Sequence, residues 1–491
     1  MKKFFFIIVF FFCSFLYGQV DLPLRVELEL AKDAEDFHCA TVGKNGVIVF
    51  YEGNQISSDS VNWYLITYDT NLNKIKNYAV PMPANLRFIN HFFTDDHLFI
   101  LFQQYGQKKN LPKTCMLDFD VIEKKIDSYE IDSLRDLNIF DFKVVENTFL
   151  IFSNESNTNY IYVYDLENKI LSSPPFTDGK ITSIEFCEID TFQHLIYWGI
   201  VSTTNDKISS INLFITDYKG NIIRKNHFPS YGGYYYNSAR MALADSAHAI
   251  IIGTYNNDKD KYSGNYHSGV YTIPFTENRM GDPQFYNYSA IKNKDSLNLY
   301  KLKDKNLNLQ VIVGPVFHND SQFAFVTELF YPEYNYNSSV SSFDSYYYGS
   351  TYMPASTSFA GYRYINAFIT TFDKDGNLLW DNYLPFTNLL TFRLAQRVSL
   401  FFMNQDAVIY YPYNSYLNYT MVNGYEIKEP LTTIELESKN KRDKVDYSRN
   451  PRIDNWYGNY FLFSGYQFIK NSSQSAKSKR YVFFMNKLLY K

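Results

Sequence analysis

Basic runs, cysteine pairs, clustered histidines and long apolar stretches are all scarce in this chain of 491 residues. Each shortage removes a class of function. Lys and Arg number 47 against 51 Asp and Glu, a formal charge of −4, and without extended basic runs that balance cannot hold nucleic acid through phosphate contacts. The short stretch Lys439 to Lys444 reads as a solvated connector. Beyond the first residues the cysteines are Cys39, Cys115 and Cys187, odd in number, far apart and set in apolar strand-like runs. They read as small buried hydrophobes rather than a disulfide framework, although one pair is open to oxidation. The eight histidines show neither H-x-x-x-H nor H-E-x-x-H spacing, so no zinc signature is present. There is no G-x-S-x-G elbow, P-loop or dinucleotide fingerprint, and neither a metal nor any other cofactor is called for. Long amphipathic helices are absent too; the best candidate, Ala239 to Ala249, reads equally well as two strands across Asp245-Ser246.

What the chain does have is aromatic side chains: 45 Tyr, 43 Phe and 4 Trp, 19% of all residues. An AT-rich genome supplies a neutral cause, because its codons favour Phe, Tyr, Asn, Lys and Ile. Apolar residues make up 46%, enough to bury a core and to exclude wholesale disorder. Met1-Lys2-Lys3, the apolar run Phe4 to Phe12 and small Gly18 before Gln19 have the anatomy of a secretory leader over 1–18. Its removal leaves a mature chain of charge −6. An uncleaved anchor is the alternative, and Phe10-Phe11-Phe12 ahead of Cys13 argue against lipidation. No later window holds eighteen consecutive apolar residues, so export without stable membrane insertion is expected, to the periplasm or the cell exterior of a bacterium.

A hairpin recurs about every fifty residues: an alternating strand, an Asp or Asn with a tight turn, then a second short strand. Copies are Tyr64 to Asp69, Cys115 to Asp120, Tyr160 to Asp165, Leu213 to Asp217 and Ala367 to Asp373, the last running on through Gly376-Asn377 to Trp380. Gly and Asn supply the positive φ of such turns. Two further strands precede most copies, which predicts four-stranded units at 36–81, 86–131, 139–175, 180–229, 236–289, 306–385, 391–436 and 449–491. The last lacks a fourth strand, and Leu22 to Leu30 is a spare one. The expectation is an all-β propeller over 19–491 of eight blades, or seven, closed by that N-terminal strand; two all-β domains are the competing architecture. The Asp-x-x-Gly-Asn turns at Asp217 to Ile223 and Asp373 to Leu379 resemble those of secreted bacterial β-propeller-repeat proteins. Trp380 is similar to the tryptophan of quinoprotein-type repeats, but the other copies lack it, so an inter-blade docking role is not carried over.

In a propeller, the connections between blades and each blade's second-to-third-strand loop share one face, where ligands usually bind. The loops expected there are rich in tyrosine. Tyr231, Tyr234 and Tyr235 precede blade five, Tyr262 and Tyr266 lie within it, and Tyr413 and Tyr416 lie in blade seven. Blade six carries an insertion at about 331–363 with Tyr334, Tyr346, Tyr347 and Tyr352. Tyrosine gives large contact area at low entropic cost and a hydroxyl for wet interfaces, which suits a glycan, a peptide or a partner protein. The competing explanation is that the insertion folds over its own propeller. Residues expected near the axis are Asp36, Arg87, His91, Glu185, Arg240 and Asp454, with Glu35 and Asp141 beside them. The turn at Asp373 to Asn377 resembles a calcium loop only in part, because Thr371 and Leu379 occupy flanking ligand positions. The function expected is an exported binding module; a hydrolase or lyase with an axial carboxylate or metal site is the alternative, and an envelope structural protein is a third reading.

Overall fold

The computed structural model describes residues 20–30, 37–94, 96–104, 113–135, 137–155, 158–174, 183–204, 207–230, 232–244, 248–257, 267–276, 279–288, 309–336, 357–440, 442–472 and 479–490. The chain is all-β, in four-stranded antiparallel units. Units 1 to 4 run from Phe37–Thr41 to Lys74–Pro83, Leu86–Phe93 to Lys125–Glu130, Ile139–Val145 to Ile170–Ser172, and Ser183–Asp190 to Ile222–Pro229. Units 5 to 7 run from Arg240–Leu243 to Gln284–Asn287, Gln310–His318 to Leu378–Pro385, and Ser399–Met403 to Glu426–Glu435. Unit 8 is Lys444–Tyr457, Tyr460–Lys470 and Lys479–Tyr490, with Val20–Leu30 as its fourth strand. Unit boundaries fall close to those expected, and the Ala239 to Ala249 region resolves into strands Arg240–Leu243 and His248–Asn257.

The arrangement is propeller-like because the middle strands are apolar on both faces, and alternation divides their side chains between two neighbours. In Val47–Ser57, Ile48 and Phe50 pack with Ile100 and Phe102 of unit 2. Val47 and Val49 turn the other way, onto Leu462, Tyr481 and Phe483 of unit 8. In unit 5, Ile251 joins Ile211 and Leu213 of unit 4, whereas Ile250 and Ile252 join Phe325 and Phe372 of unit 6. Similar clusters join units 2 and 3, 3 and 4, 6 and 7, and 7 and 8. Each fully buried aliphatic or aromatic side chain contributes ~1.5–3 kcal/mol, so these inter-unit layers are the core. First strands adjoin across neighbouring units, while fourth strands such as Lys74–Pro83 and Ile222–Pro229 are largely exposed.

One local device repeats. The recurrent Asp closes its hairpin turn: Asp373 Oδ1 accepts the N–H of Asp375 (2.9 Å) and Asn377 (2.8 Å), and Oδ2 accepts Asn377 Nδ2 (2.9 Å). Asp217 and Asp69 make the same set with Asn221 and Asn73. Three donors of the turn itself thus converge on Asp373, which gives the motif a structural role in closing the hairpin. Gly376 in this turn has φ +82°, and its carbonyl accepts Thr272 Oγ1 and Tyr286 OH (both 2.9 Å), fastening unit 6 to unit 5. Trp380, for which no docking role was carried over, is buried in the cluster joining units 6 and 7.

The spare N-terminal strand pairs antiparallel with Lys479–Tyr490, Leu30 opposite Tyr481 and Leu24 opposite Lys487. A buried polar network pins it. Glu27 accepts Arg25 Nε (2.7 Å), Arg480 Nη2 (2.8 Å) and the Lys439 N–H (2.7 Å). Arg25 reaches on to Asn486 (2.9 Å) and Gln467 (2.5 Å).

Candidate functional site

Antiparallel order places the start of each first strand, the second-to-third-strand loop and the exit of the fourth strand at one end of every sheet. At this end, between units 6, 7 and 8, lies a cleft of about 420 Å³. Three separate segments line it: Leu389 to Arg393 with Arg397, the turn Pro412 to Asn414, and Ser448 to Pro451.

The first segment belongs to the connection from unit 6 to unit 7, which is held at many points. Phe386 donates its N–H to Ile365 O and accordingly continues the sheet edge, and Leu390 and Thr391 pair with Arg363 and Tyr362. The buried Tyr364 donates its hydroxyl to Ala395 O (2.5 Å) and accepts the Ala395 N–H (3.1 Å). Behind it, Glu328 is fully buried, and Oε1 accepts the N–H groups of Arg397 (2.8 Å) and Val398 (2.6 Å). Burial pushes this carboxyl up to about 7, against the opposing pull of those N–H groups and of the Arg397 charge. Arg397 is thereby fixed at the cleft, 5.6 Å from the Tyr364 ring centroid, with Nη2 donating to Arg393 O (2.8 Å). Its Nε–H is buried and meets no acceptor.

The second segment is a tight turn with Asn414 at φ 53°, and Tyr413 donates its hydroxyl to Asn388 O (2.9 Å). The third is a bulge in the first strand of unit 8, between Arg449 and Arg452, with Asn450 at φ 48°. Arg449 lies 5.4 Å from the Tyr447 ring centroid. Among the described residues the lining contains Arg393, Arg397 and Arg449 but no Asp or Glu, and Phe392 stands 76% exposed at the cleft.

Of the tyrosines expected on this face, Tyr413 lines the cleft and Tyr416 stands exposed across the same turn. Tyr234 and Tyr235 are not in a free loop: Tyr234–Tyr236 is a short strand opposite Tyr255 to Asn257, and Tyr234 stacks on Phe285 (4.6 Å). This strand joins units 4 and 5 into one ten-stranded sheet. The insertion expected from 331 begins later, because Phe323–Tyr336 and Thr357–Phe372 continue as a paired hairpin up to Tyr336 opposite Thr357. Cross-strand aromatics stabilise that extension, and Tyr334, about half exposed, meets Phe359 edge-on at 5.7 Å. Tyr231, Tyr262, Tyr266, Tyr346, Tyr347 and Tyr352 lie outside the described residues, as do Asp36 and the leader.

The residues expected at the axis lie on first strands or their approaches and fall into separate pairs. Arg240 Nη1 meets Glu185 at its Oε2 (3.3 Å) and backbone O (2.9 Å), and the Ala239 N–H donates to the same Oε2 (3.1 Å). Asp454 pairs with Arg452 (2.6 Å), a residue the sequence reading omits, and burial raises the Asp454 carboxyl despite that partner. His91 and His38 share the electrostatic field of Arg452; burial first, then that charge, lowers each to about 4. Asp141 accepts Asn90 Nδ2 (2.7 Å), and Arg87 is exposed on its strand. Among the described residues, no group of three or more His, Cys, Asp or Glu is placed to share an ion.

Solved structures with a similar fold include the polysaccharide lyase Uly1, at TM-score 0.42 and 8% identity over 96% of this chain and 99% of that one. The β-propeller domain of the Trilobed protease from Pyrococcus furiosus gives 0.38 and 8% over 79% and 94%. The acylaminoacyl peptidase of Pyrococcus horikoshii gives 0.32 and 8%, over 80% of this chain and 59% of that one. The likeness is one of architecture alone. No family model and no curated protein matches the sequence. Among the described residues, no helix is long and apolar enough to cross a membrane.

The sequence reading missed Arg393, Arg397, Arg449 and Phe392. The available signal was faint: two arginines, Arg393 and Arg397, one helical-turn spacing apart in a connection otherwise poor in charge.

Proposed function

We propose that this is an exported binding module, an eight-bladed propeller closed by its N-terminal strand, whose ligand face carries the cleft between units 6, 7 and 8. The observation that carries the reading is the cleft itself. It lies at the inter-unit end of the sheets, its volume of about 420 Å³ is within the usual range for ligand sites, and a rigidly fastened connection forms one wall. Closure draws support from the pairing of Val20–Leu30 with unit 8 and from the apolar cluster shared by units 8 and 1. Glycan, peptide and protein partners all suit a surface of exposed aromatic rings beside amides and guanidinium groups.

The test is a glycan and peptide array probed with the mature chain, its Phe392→Ser variant and its Tyr413→Ala variant. A ligand bound by the parent and lost in both variants, with unchanged thermal unfolding, is the expected result. No bound ligand, or binding indifferent to both substitutions, overturns the reading. A hydrolase or lyase reading draws on one observation: Asp454, its carboxyl raised by burial, pairs with Arg452, whose charge also acts on His38 and His91.

A further inference from the structure

The cleft's chemistry narrows its ligand, and this step rests on the binding-face reading above. We infer that the cleft between units 6, 7 and 8 takes carbohydrate bearing an anionic group, a uronic-acid carboxylate or a sulfate ester. Three observations converge. First, the chain is acidic overall, at −4, yet among the described residues the lining holds Arg393, Arg397 and Arg449 and no carboxylate. All three cations are arginine, whose planar fork matches carboxylate and sulfate oxygens two at a time, as a lysine ammonium does not.

Second, Arg397 is held at the cleft, with Nη2 donating to Arg393 O (2.8 Å) and the guanidinium 5.6 Å from the Tyr364 ring centroid. The fold holds this side chain in place through Glu328, which grips the backbone of Arg397 and Val398 and contributes nothing to the lining. Third, the remaining groups suit a sugar ring. Phe392 presents a 76% exposed ring, Tyr413 lines the cleft at the turn opposite, and Asn450 sits in a bulge beside Arg449. An aromatic face stacks on the C–H face of a pyranose, while amides read its hydroxyls.

The experiment is calorimetric titration of the mature chain with four probes: polygalacturonate, dextran sulfate, neutral dextran and poly-L-glutamate. Binding of polygalacturonate or dextran sulfate is expected, the stronger of the two showing which anion the site prefers. It should weaken with salt and fall about 10-fold or more in Arg393→Gln and in Arg449→Gln, since each removes a charge-assisted contact. Both positions lie on the cleft surface, and unchanged unfolding curves guard against a folding defect. Equal binding of neutral dextran, sensitive to Phe392→Ser but not to the arginine variants, overturns the anionic inference while the binding module stands. Poly-L-glutamate bound as tightly as the acidic glycans overturns the carbohydrate assignment. Acidic-glycan binding unaffected by either arginine substitution removes the site, and no binding to any probe removes both proposals.

Discussion

Glu328 offers the sharpest test of how the cleft is held. Its carboxylate is fully buried on the second strand of unit 6 and caps the N–H groups of Arg397 and Val398. Burial raises the folded carboxyl to about 7, against about 4.5 in an unfolded chain. At pH 4 both states are protonated and the site costs nothing. As pH rises from 4.5 to 7 the unfolded chain releases its proton while the folded one retains it, so stability declines. Above 7 both are ionised and the loss is constant. A gap of this size corresponds to about 3 kcal/mol. Glu328→Gln removes the titration but keeps one oxygen for the two N–H donors. The stability of the variant relative to the parent should therefore rise by about 3 kcal/mol between pH 4 and pH 8. For a chain of this length that is a relative gain of about 3 °C in Tm.

The partly buried histidines do not confuse this comparison. His38, His91 and His267, each lowered to about 4, titrate in both proteins and cancel in the difference. His267, which lines a small cavity with Glu328, owes its shift to burial alone. The assay is thermal and urea unfolding of both proteins at matched pH values and ionic strength. Parallel curves across the range would show that Glu328 ionises normally and would refute the claim that burial outweighs its hydrogen bonds.

Three further outcomes follow from the same geometry. Glu27→Ala leaves the buried Arg25 and the partly buried Arg480 without their shared anion and should cost about 3–5 kcal/mol; a loss under about 1 kcal/mol by urea unfolding would mean that the N-terminal strand is pinned by its ladder alone. Cys39, Cys115 and Cys187 are buried, unpaired and raised by burial, the first two to about 11 and the last to about 12. Their thiols should therefore resist an aromatic disulfide reagent at pH 8 until denaturant is added, and rapid native labelling would contradict the burial. The folded pKa values of His38 and His91 lie below the unfolded value near 6.5, so their stabilisation is complete above 6.5 and declines as pH falls toward 4; in His91→Leu that acid-side decline should be shallower, and an identical decline would place the titration elsewhere.

What is legible in the sequence is what a single hairpin decides. The turn at Asp373 to Asn377 carries its own explanation: one side chain satisfies three donors within four residues, and Gly376 supplies the positive φ. Even where glycine is missing the turn survives, because Leu72 takes φ 57° in the equivalent place after Asp69. Because the apolar clusters among the described residues join units that follow one another in the chain, reading such turns in order is nearly enough to set the unit boundaries. The spare strand at Leu22 to Leu30 is legible for a related reason, since a last unit with an open edge is a hazard that a fourth strand removes.

Tyrosine-rich segments mislead because composition does not distinguish a ring that meets solvent from one that meets another ring. Tyr234 and Tyr236 become part of a strand and an aromatic cluster once Tyr255, Tyr271 and Phe285 arrive from later in the chain. The cleft is hidden for a deeper reason. Its lining comes from residues near 390, 413 and 449, three segments of three different units, and their register is set by bulges and caps that no local pattern announces. Glu328 makes the point most clearly: an isolated acidic residue in an apolar strand looks like a defect in the alternation. It is required only because the next unit's first strand starts where two backbone N–H groups would otherwise be buried without acceptors. A search for such buried carboxylates opposite strand entries would find the fastening of this cleft before any arginine in it drew notice.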